Sequence, residues 1–177
     1  MNIYLIGYRC CGKTSVGKAL SKLLGRPFLD TDAAVVQKAG MSISEIVAQS
    51  GWEAFRNIEK SVITQTTLLD HHIIATGGGV ILNPDNVRNM KKAGHVIWLR
   101  VSPETVRTRM AADLQTTIQR PDLTTTGSMN EIEAVLLSRQ PLYEKASDVV
   151  LDTDIQGVEA ICQKILNALS KEMNDVR

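Results

Sequence analysis

Gly7-Tyr8-Arg9-Cys10-Cys11-Gly12-Lys13-Thr14 decides how this chain is read. The stretch fits G-x-x-x-x-G-K-[ST] without a mismatch. The apolar run Ile3-Tyr4-Leu5-Ile6 before it reads as a strand, and Ser15 to Leu24 after it reads as a helix. Strand, loop and helix in that order are what this phosphate-binding loop requires. Gly7 and Gly12 let the backbone bend so that its N–H groups point inward. Those N–H groups and the start of the following helix, from Cys10, Cys11, Gly12 and Ser15, make a cradle for a polyphosphate. Lys13 is placed to reach the β- and γ-phosphates, and Thr14 to ligate Mg²⁺.

A chain of 177 residues predicts one domain spanning 1–177. A net charge of +1 gives no signal for a nucleic-acid surface or an anionic membrane. No apolar run has the length of a membrane span, and the N-terminus enters a strand directly, so the expected location is the cytoplasm. Cys10, Cys11 and Cys162 make no disulfide framework. Cys162 lies at helical spacing among Val158, Ile161, Ile165 and Leu169, which reads as core. His71, His72 and His95 lack metal-ligand spacing.

Further along, apolar strand-like runs alternate with helical segments. Arg26 to Asp30 reads as extended, with Thr31 or Asp32 capping a helix that Gly40 ends. Ser42 and Ser44 open a short helix that Gly51 ends, and a long helix is expected from about Trp52 to Leu69. His72 to Thr76 is the third strand, ending in Gly77-Gly78-Gly79. Asn83-Pro84 starts a helix that stops at Gly94. His95 to Arg100 is the fourth strand, and Ser102-Pro103-Glu104 opens a helix to Ala112. Asp113 to Ser128 is rich in Thr, Gln and Asp and reads as a long functional loop. A helix over Asn130–Lys145, a fifth strand over Asp148–Leu151 and a helix from Ile155 to about Lys171 complete the chain, with a frayed end from Asn174. Five apolar strands separated by helices predict an α/β fold: a parallel sheet covered on both faces, with ligands beyond the strands' carboxyl ends.

The chemistry-bearing residues cluster at those strand ends. Asp30 and Asp32 can cap a helix. Next to a phosphate loop, they can instead support Mg²⁺ and take a proton from an accepting hydroxyl. Glu53, Arg56 and Glu59 form either a surface ion-pair ladder or a Glu-held Arg whose fork binds a carboxylate. Three consecutive glycines at 77–79 exceed what a turn needs and allow close backbone approach to a ligand. Arg120 is either a solvated loop residue or a lid cation for a transferring phosphoryl group. Arg109 and Arg139, on the flanking helices, are either solvated charges or part of the same site. No strand ends in the Asp of a Walker B motif, which leaves Thr14 and the Asp pair to support a metal.

Together these features describe a small-molecule kinase, and the chain resembles the shikimate kinases of the nucleoside-monophosphate-kinase-like P-loop group. The resemblance runs through the loop, Phe28-Leu29-Asp30-Thr31-Asp32, Phe55-Arg56-Asn57-Ile58-Glu59, Ala75-Thr76-Gly77-Gly78-Gly79, Arg120-Pro121 and Arg139-Gln140-Pro141-Leu142-Tyr143. It implies a three-layer α/β/α sandwich with sheet order 2-3-1-4-5, substrate-binding helices over about 32–62 and a lid over about 113–128. The implied reaction moves the ATP γ-phosphoryl group to the 3-hydroxyl of shikimate, in the pathway to chorismate and the aromatic amino acids. By the same resemblance Lys13, Asp32 and Arg120 are catalytic. Thr14 ligates Mg²⁺ and Asp30 supports it through water. Asp32, Arg56, Gly78, Gly79 and Arg139 bind shikimate, and Arg109 lies near the adenine. The expected partners are shikimate and ATP, with no nucleic acid or membrane, and the expected state is a monomer.

Cys10 departs from the pattern, standing where the family loop usually has another glycine. Two rival readings remain: a kinase for another polyol acid such as gluconate, and a nucleotide-binding regulator without catalysis.

Overall fold

The computed structural model of the chain describes residues 1–112 and 128–175, with side chains described over 1–112 and 132–170. The strands β1 (Asn2–Ile6), β2 (Phe28–Asp30), β3 (Ile73–Ala75), β4 (Gly94–Arg100) and β5 (Val149–Asp152) form one sheet. Its order is β2-β3-β1-β4-β5, as the resemblance implied. All four pairings are parallel, with Leu5 opposite both Ala75 and Ile97. The connecting helices are α1 (Lys13–Leu24), α2 (Thr31–Ala39), α3 (Ile43–Thr66), α4 (Pro84–Ala93), α5 (Pro103–Ala112), α6 (Ser128–Ala146) and α7 (Val158–Asp175), with a 3₁₀ turn at Val80–Leu82.

A strand buried on both faces sends alternate residues to opposite layers, and β1 and β4 do so. Ile3, Leu5, Ile97 and Leu99 pack with Val16 and Leu20 of α1, Val106 of α5 and Ile161 and Ile165 of α7. Cys162 is buried in this layer, as its spacing predicted. Tyr4, Ile6, Val96 and Trp98 pack on the other face with Ile63 of α3, Met90 of α4 and Tyr143 of α6. Helix α6 contributes Ile132 and Val135 to the first layer and Tyr143 and Ala146 to the second. It therefore crosses the sheet near its carboxyl edge. A third cluster, Val35, Ile46, Phe55 and Val62, joins α2 to α3 beside the sheet.

Several element ends differ from the sequence reading, each for a visible reason. The cap of α2 is Asp30, whose carboxylate accepts from the N–H groups of Asp32 and Ala33, not Thr31 or Asp32. The two helices expected on either side of Gly51 are present, since Gly51 takes φ 77° and ψ 172° and breaks the helical backbone within α3. Its start is a capping box between Ser42 and Glu45. It ends at Thr66, where buried Asn2 donates its side-chain amide to the carbonyl of Thr66, left over by the helix end, and to that of Leu69 in the turn beyond. Gly94 is the first residue of β4: a Cβ there would run into the Asn2 carbonyl, so glycine permits the strand to pair. The last helix starts at Val158, later than expected, and continues past Asn174 to Asp175. Of the expected lid only Ser128, the first residue of α6, lies within the described residues.

Candidate active site

The phosphate loop joins β1 to α1 at the carboxyl edge of the sheet. Gly12 precedes α1 in the left-handed region, φ 96°, with no side-chain cap on the helix start. The N–H groups at this helix start are thus left for an anion. Thr14 and Ser15, in the first turn, are exposed. Lys13 is nearly buried, and its Nζ donates to the carbonyls of Gly7 at 2.7 Å and Tyr8 at 2.8 Å. Cys11 is buried with its Sγ 3.6 Å from the same Nζ. The lysine thus spans the inside of the loop.

Cys10 has φ 59°, a left-handed conformation that side chains other than glycine rarely take. Its carbonyl accepts from Arg109 Nη1 at 3.0 Å, and Arg109 Nη2 donates to the carbonyl of Thr153. Arg109 therefore ties the outer turn of the loop to the segment after β5. It is not a solvated helix charge.

Thr14 Oγ1 donates to Asp30 Oδ2 at 3.0 Å while Asp30 Oδ1 caps α2. The two readings of Asp30, cap and metal support, are compatible because one carboxylate has two oxygens. Thr14 and Asp30 form an all-oxygen pair of hard donors at the mouth of the phosphate loop, the ligand type Mg²⁺ prefers.

Beside the loop lies a cavity lined by Tyr8, Arg9, Asp32, Ile43, Trp52, Phe55, Arg56, Glu59, Gly77, Gly78, Gly79 and Arg139. It brings together every substrate-binding residue expected from the sequence, drawn from α2, α3, the segment after β3 and α6. Arg56 lies over the rings of Phe55 at 4.9 Å and Trp52 at 5.6 Å. Its Nη1 donates to Glu59 Oε2 at 2.6 Å. Glu59 is 1% exposed, so this pair is no surface ladder. Burial pushes the Glu59 carboxyl above its usual range, with Arg56 pulling the other way. Glu59 Oε1 has no hydrogen-bond partner among the described residues.

Steric fit explains the run of glycines. A Cβ on Gly77 would lie 2.6 Å from Asp32 Oδ1 and 2.9 Å from Glu59 Oε1. One on Gly79 would strike the Arg56 guanidinium. Gly78 backs onto the phosphate loop, 3.4 Å from the Gly7 carbonyl measured from the same added atom, and its own carbonyl faces Arg139 Nη1 at 3.4 Å.

Trp52, which lines the cavity, and Tyr143, which bonds the Gly78 carbonyl behind it, were left unassigned by the motif reading, and Glu59 was offered only as one of two readings. Glu59 had a signal: it occupies an apolar position of the α3 stripe with Phe55, Val62 and Ile63. Arg120 lies outside the described residues.

The shikimate kinase family model matches residues 9–170. Shikimate kinase 2 of Yersinia enterocolitica is 41% identical over 170 residues, covering 96% of each chain. The solved shikimate kinase of Acinetobacter baumannii in complex with shikimate superposes with a TM-score of 0.88 at 32% identity, covering 97% of this chain and 93% of that one. A gluconokinase from Sinorhizobium meliloti shares the fold alone, with a TM-score of 0.59 at 14% identity over 99% of this chain and 94% of its own. The family match over most of the chain and the near full-length identity to its relatives make this chain a member of the shikimate kinase family, a P-loop kinase that uses ATP.

Proposed function

We propose that the chain transfers the γ-phosphoryl group of ATP to the 3-hydroxyl of shikimate, giving shikimate 3-phosphate and ADP. The observation that carries this reading is a cavity beside the phosphate loop whose lining includes Arg56 and Arg139, cations suited to a carboxylate, and Asp32, a carboxylate suited to a hydroxyl. A solved relative of the same fold and family is in complex with shikimate.

Arg56 and Arg139 bind the acceptor's carboxylate. Burying that charge costs little when two guanidinium groups supply charge-assisted hydrogen bonds. Glu59 holds Arg56, so the fork is oriented before the acceptor arrives, and preorganisation of this kind is where such a site gains rate. Gly78 and Gly79 present backbone to the acceptor, which their lack of a Cβ allows. Asp32 accepts the proton of the attacking hydroxyl at its carboxylate. The loop N–H groups from Cys10 to Ser15 hold the polyphosphate. Lys13 leaves its carbonyl partners to follow charge onto the transferring group, and Arg120 joins it there. Arg109 keeps the outer loop turn in place near the adenine.

Thr14 and Asp30 fit Mg²⁺, Asp30 through water. The ion, when bound, neutralises charge on the phosphate oxygens. The described residues of the cavity and the phosphate loop adjoin within one chain, and we assign the activity to a cytoplasmic monomer.

The test is coupled ADP release with Mg·ATP and shikimate, gluconate or no acceptor. Turnover with shikimate only is the expected result. Turnover with gluconate instead would overturn the acceptor assignment, and ATP binding without turnover on either acceptor would leave a regulator.

A further inference from the structure

Tyr143 lies one turn after Arg139 on α6, and its side chain is fully buried. The ring stacks on Trp98 of β4, with centroids 5.4 Å apart and planes 16° from parallel. Its hydroxyl donates to the carbonyl of Gly78 at 2.5 Å, and the Arg139 side chain also interacts with that hydroxyl. Burial pushes the phenol well above its usual range, so the hydroxyl stays protonated and remains a donor. Arg139 Nη1 approaches the same carbonyl oxygen at 3.4 Å, a much weaker contact.

A peptide unit is planar, so the carbonyl of Gly78 and the N–H of Gly79 point in opposite directions. Between two glycines this unit turns over easily, because no Cβ opposes either orientation. Fixing the carbonyl on one side fixes the N–H on the other. The side of Gly78 where a Cβ would sit rests against the backbone of Gly7, Tyr8 and Arg9, and the Gly7 carbonyl is a partner of Lys13. The Gly78–Gly79 peptide is thus wedged between α6 and the phosphate loop.

We propose that Tyr143 is a positioning residue for the acceptor: its hydroxyl sets the orientation of the Gly78–Gly79 peptide and keeps the Gly78 carbonyl from drawing Arg139 out of the cavity. This rests on the assignment of Gly79 and Arg139 to shikimate binding. Without the hydroxyl, Arg139 is, among the described residues, the side-chain donor left at this carbonyl, it loses its own contact with Tyr143, and the guanidinium moves toward the carbonyl. The peptide loses its fixed orientation at the same time. Both changes weaken acceptor binding and leave the ATP side intact.

The experiment is Tyr143→Phe, which keeps the ring and the stack on Trp98. Steady-state kinetics are measured for both substrates below the variant's own Tm, and shikimate binding is measured by calorimetry without ATP. The expected result is a rise of about tenfold in KM and Kd for shikimate, the effect of drawing one charge-assisted hydrogen bond away from its carboxylate. The KM for ATP is unchanged, and kcat at saturating shikimate falls by less than about threefold. An unchanged shikimate KM, with or without a lower Tm, overturns the proposal, because a purely structural tyrosine would behave that way. An equal rise in both KM values also overturns it. Wild-type protein assayed alongside separates this outcome from the larger one. If wild type does not use shikimate, the functional reading fails; if it does and the variant matches it, the role of Tyr143 alone fails.

Discussion

Arg56 Nη1 lies 2.6 Å from Glu59 Oε2, and the two side chains differ sharply in exposure, 22% against 1%. The buried carboxylate therefore depends on the guanidinium, while the guanidinium still faces the cavity. Arg56→Ala removes both a cavity cation and the charge partner of Glu59. The expected outcome is a rise of at least tenfold in the KM for shikimate. The sequence alone predicts little change in stability, but the buried pair predicts a loss of about 3 kcal/mol, since breaking such a pair leaves a buried charge. The double variant Arg56→Ala/Glu59→Gln should recover most of the Tm and none of the KM. Thermal melts and kinetics on the two proteins check this directly.

The raised pKa of Glu59 gives a pH signature. Burial favours the neutral carboxyl, so the group gains its proton at a pH above the usual 4.5. Protonation weakens its hold on Arg56, and the KM for shikimate should rise as pH falls toward that raised value. The native chain binds more protons here than the unfolded chain. The contribution to stability is therefore fully present below the unfolded pKa and is lost as pH rises through the folded one. Glu59→Gln should raise KM at neutral pH and flatten both slopes. A KM profile from pH 5 to 8 for the two proteins measures it; identical slopes would exclude Glu59 as the source.

Much of this site was legible as text because its residues sit where the fold puts ligands. Lys13, Thr14, Asp30, Asp32 and Gly77–Gly79 all follow the carboxyl ends of parallel strands, and strands are readable from continuous apolar runs. Arg56 was ambiguous because a one-dimensional i, i+3 pair looks the same on a solvated face and on a buried one. Only packing of α3 against the sheet decides it, although a glutamate inside the Phe55–Val62 stripe was the available hint. Tyr143 left no such hint, since an apolar tyrosine in a helix reads as core, and it is core as well. The two readings of Asp30, cap and metal support, stayed open because sequence does not show that one carboxylate caps with one oxygen and meets Thr14 with the other.

Gly79 offers a variant that acts on Arg56 without touching it. An added methyl group would occupy the space of the guanidinium, which is the far end of a flexible side chain and can swing away. Gly79→Ala should therefore raise the KM for shikimate about as much as Arg56→Ala does. It should cost less stability than Arg56→Ala, because the guanidinium is displaced from Glu59 and not removed, and still offsets part of its charge. Equal Tm losses for the two variants would show that the backbone, and not the guanidinium, had given way.

Cys10 takes a left-handed turn at the loop position where the resemblance led to an expectation of glycine. A left-handed residue with a Cβ costs about 1–2 kcal/mol, while glycine adds about 0.5–1 kcal/mol of unfolded-state entropy. Cys10 also packs against the core layer that holds Cys11 and Cys162. These effects nearly offset one another, so Cys10→Gly should leave Tm within a few degrees and the KM for ATP within about twofold. Cys10→Val is the opposing control, because a β-branched side chain is a genuine outlier at this φ. It should lower Tm and raise the KM for ATP while shikimate affinity holds, since the strain falls on the loop and on the carbonyl that Arg109 grips. If valine were as well tolerated as glycine, the left-handed turn at Cys10 would have no part in holding the nucleotide.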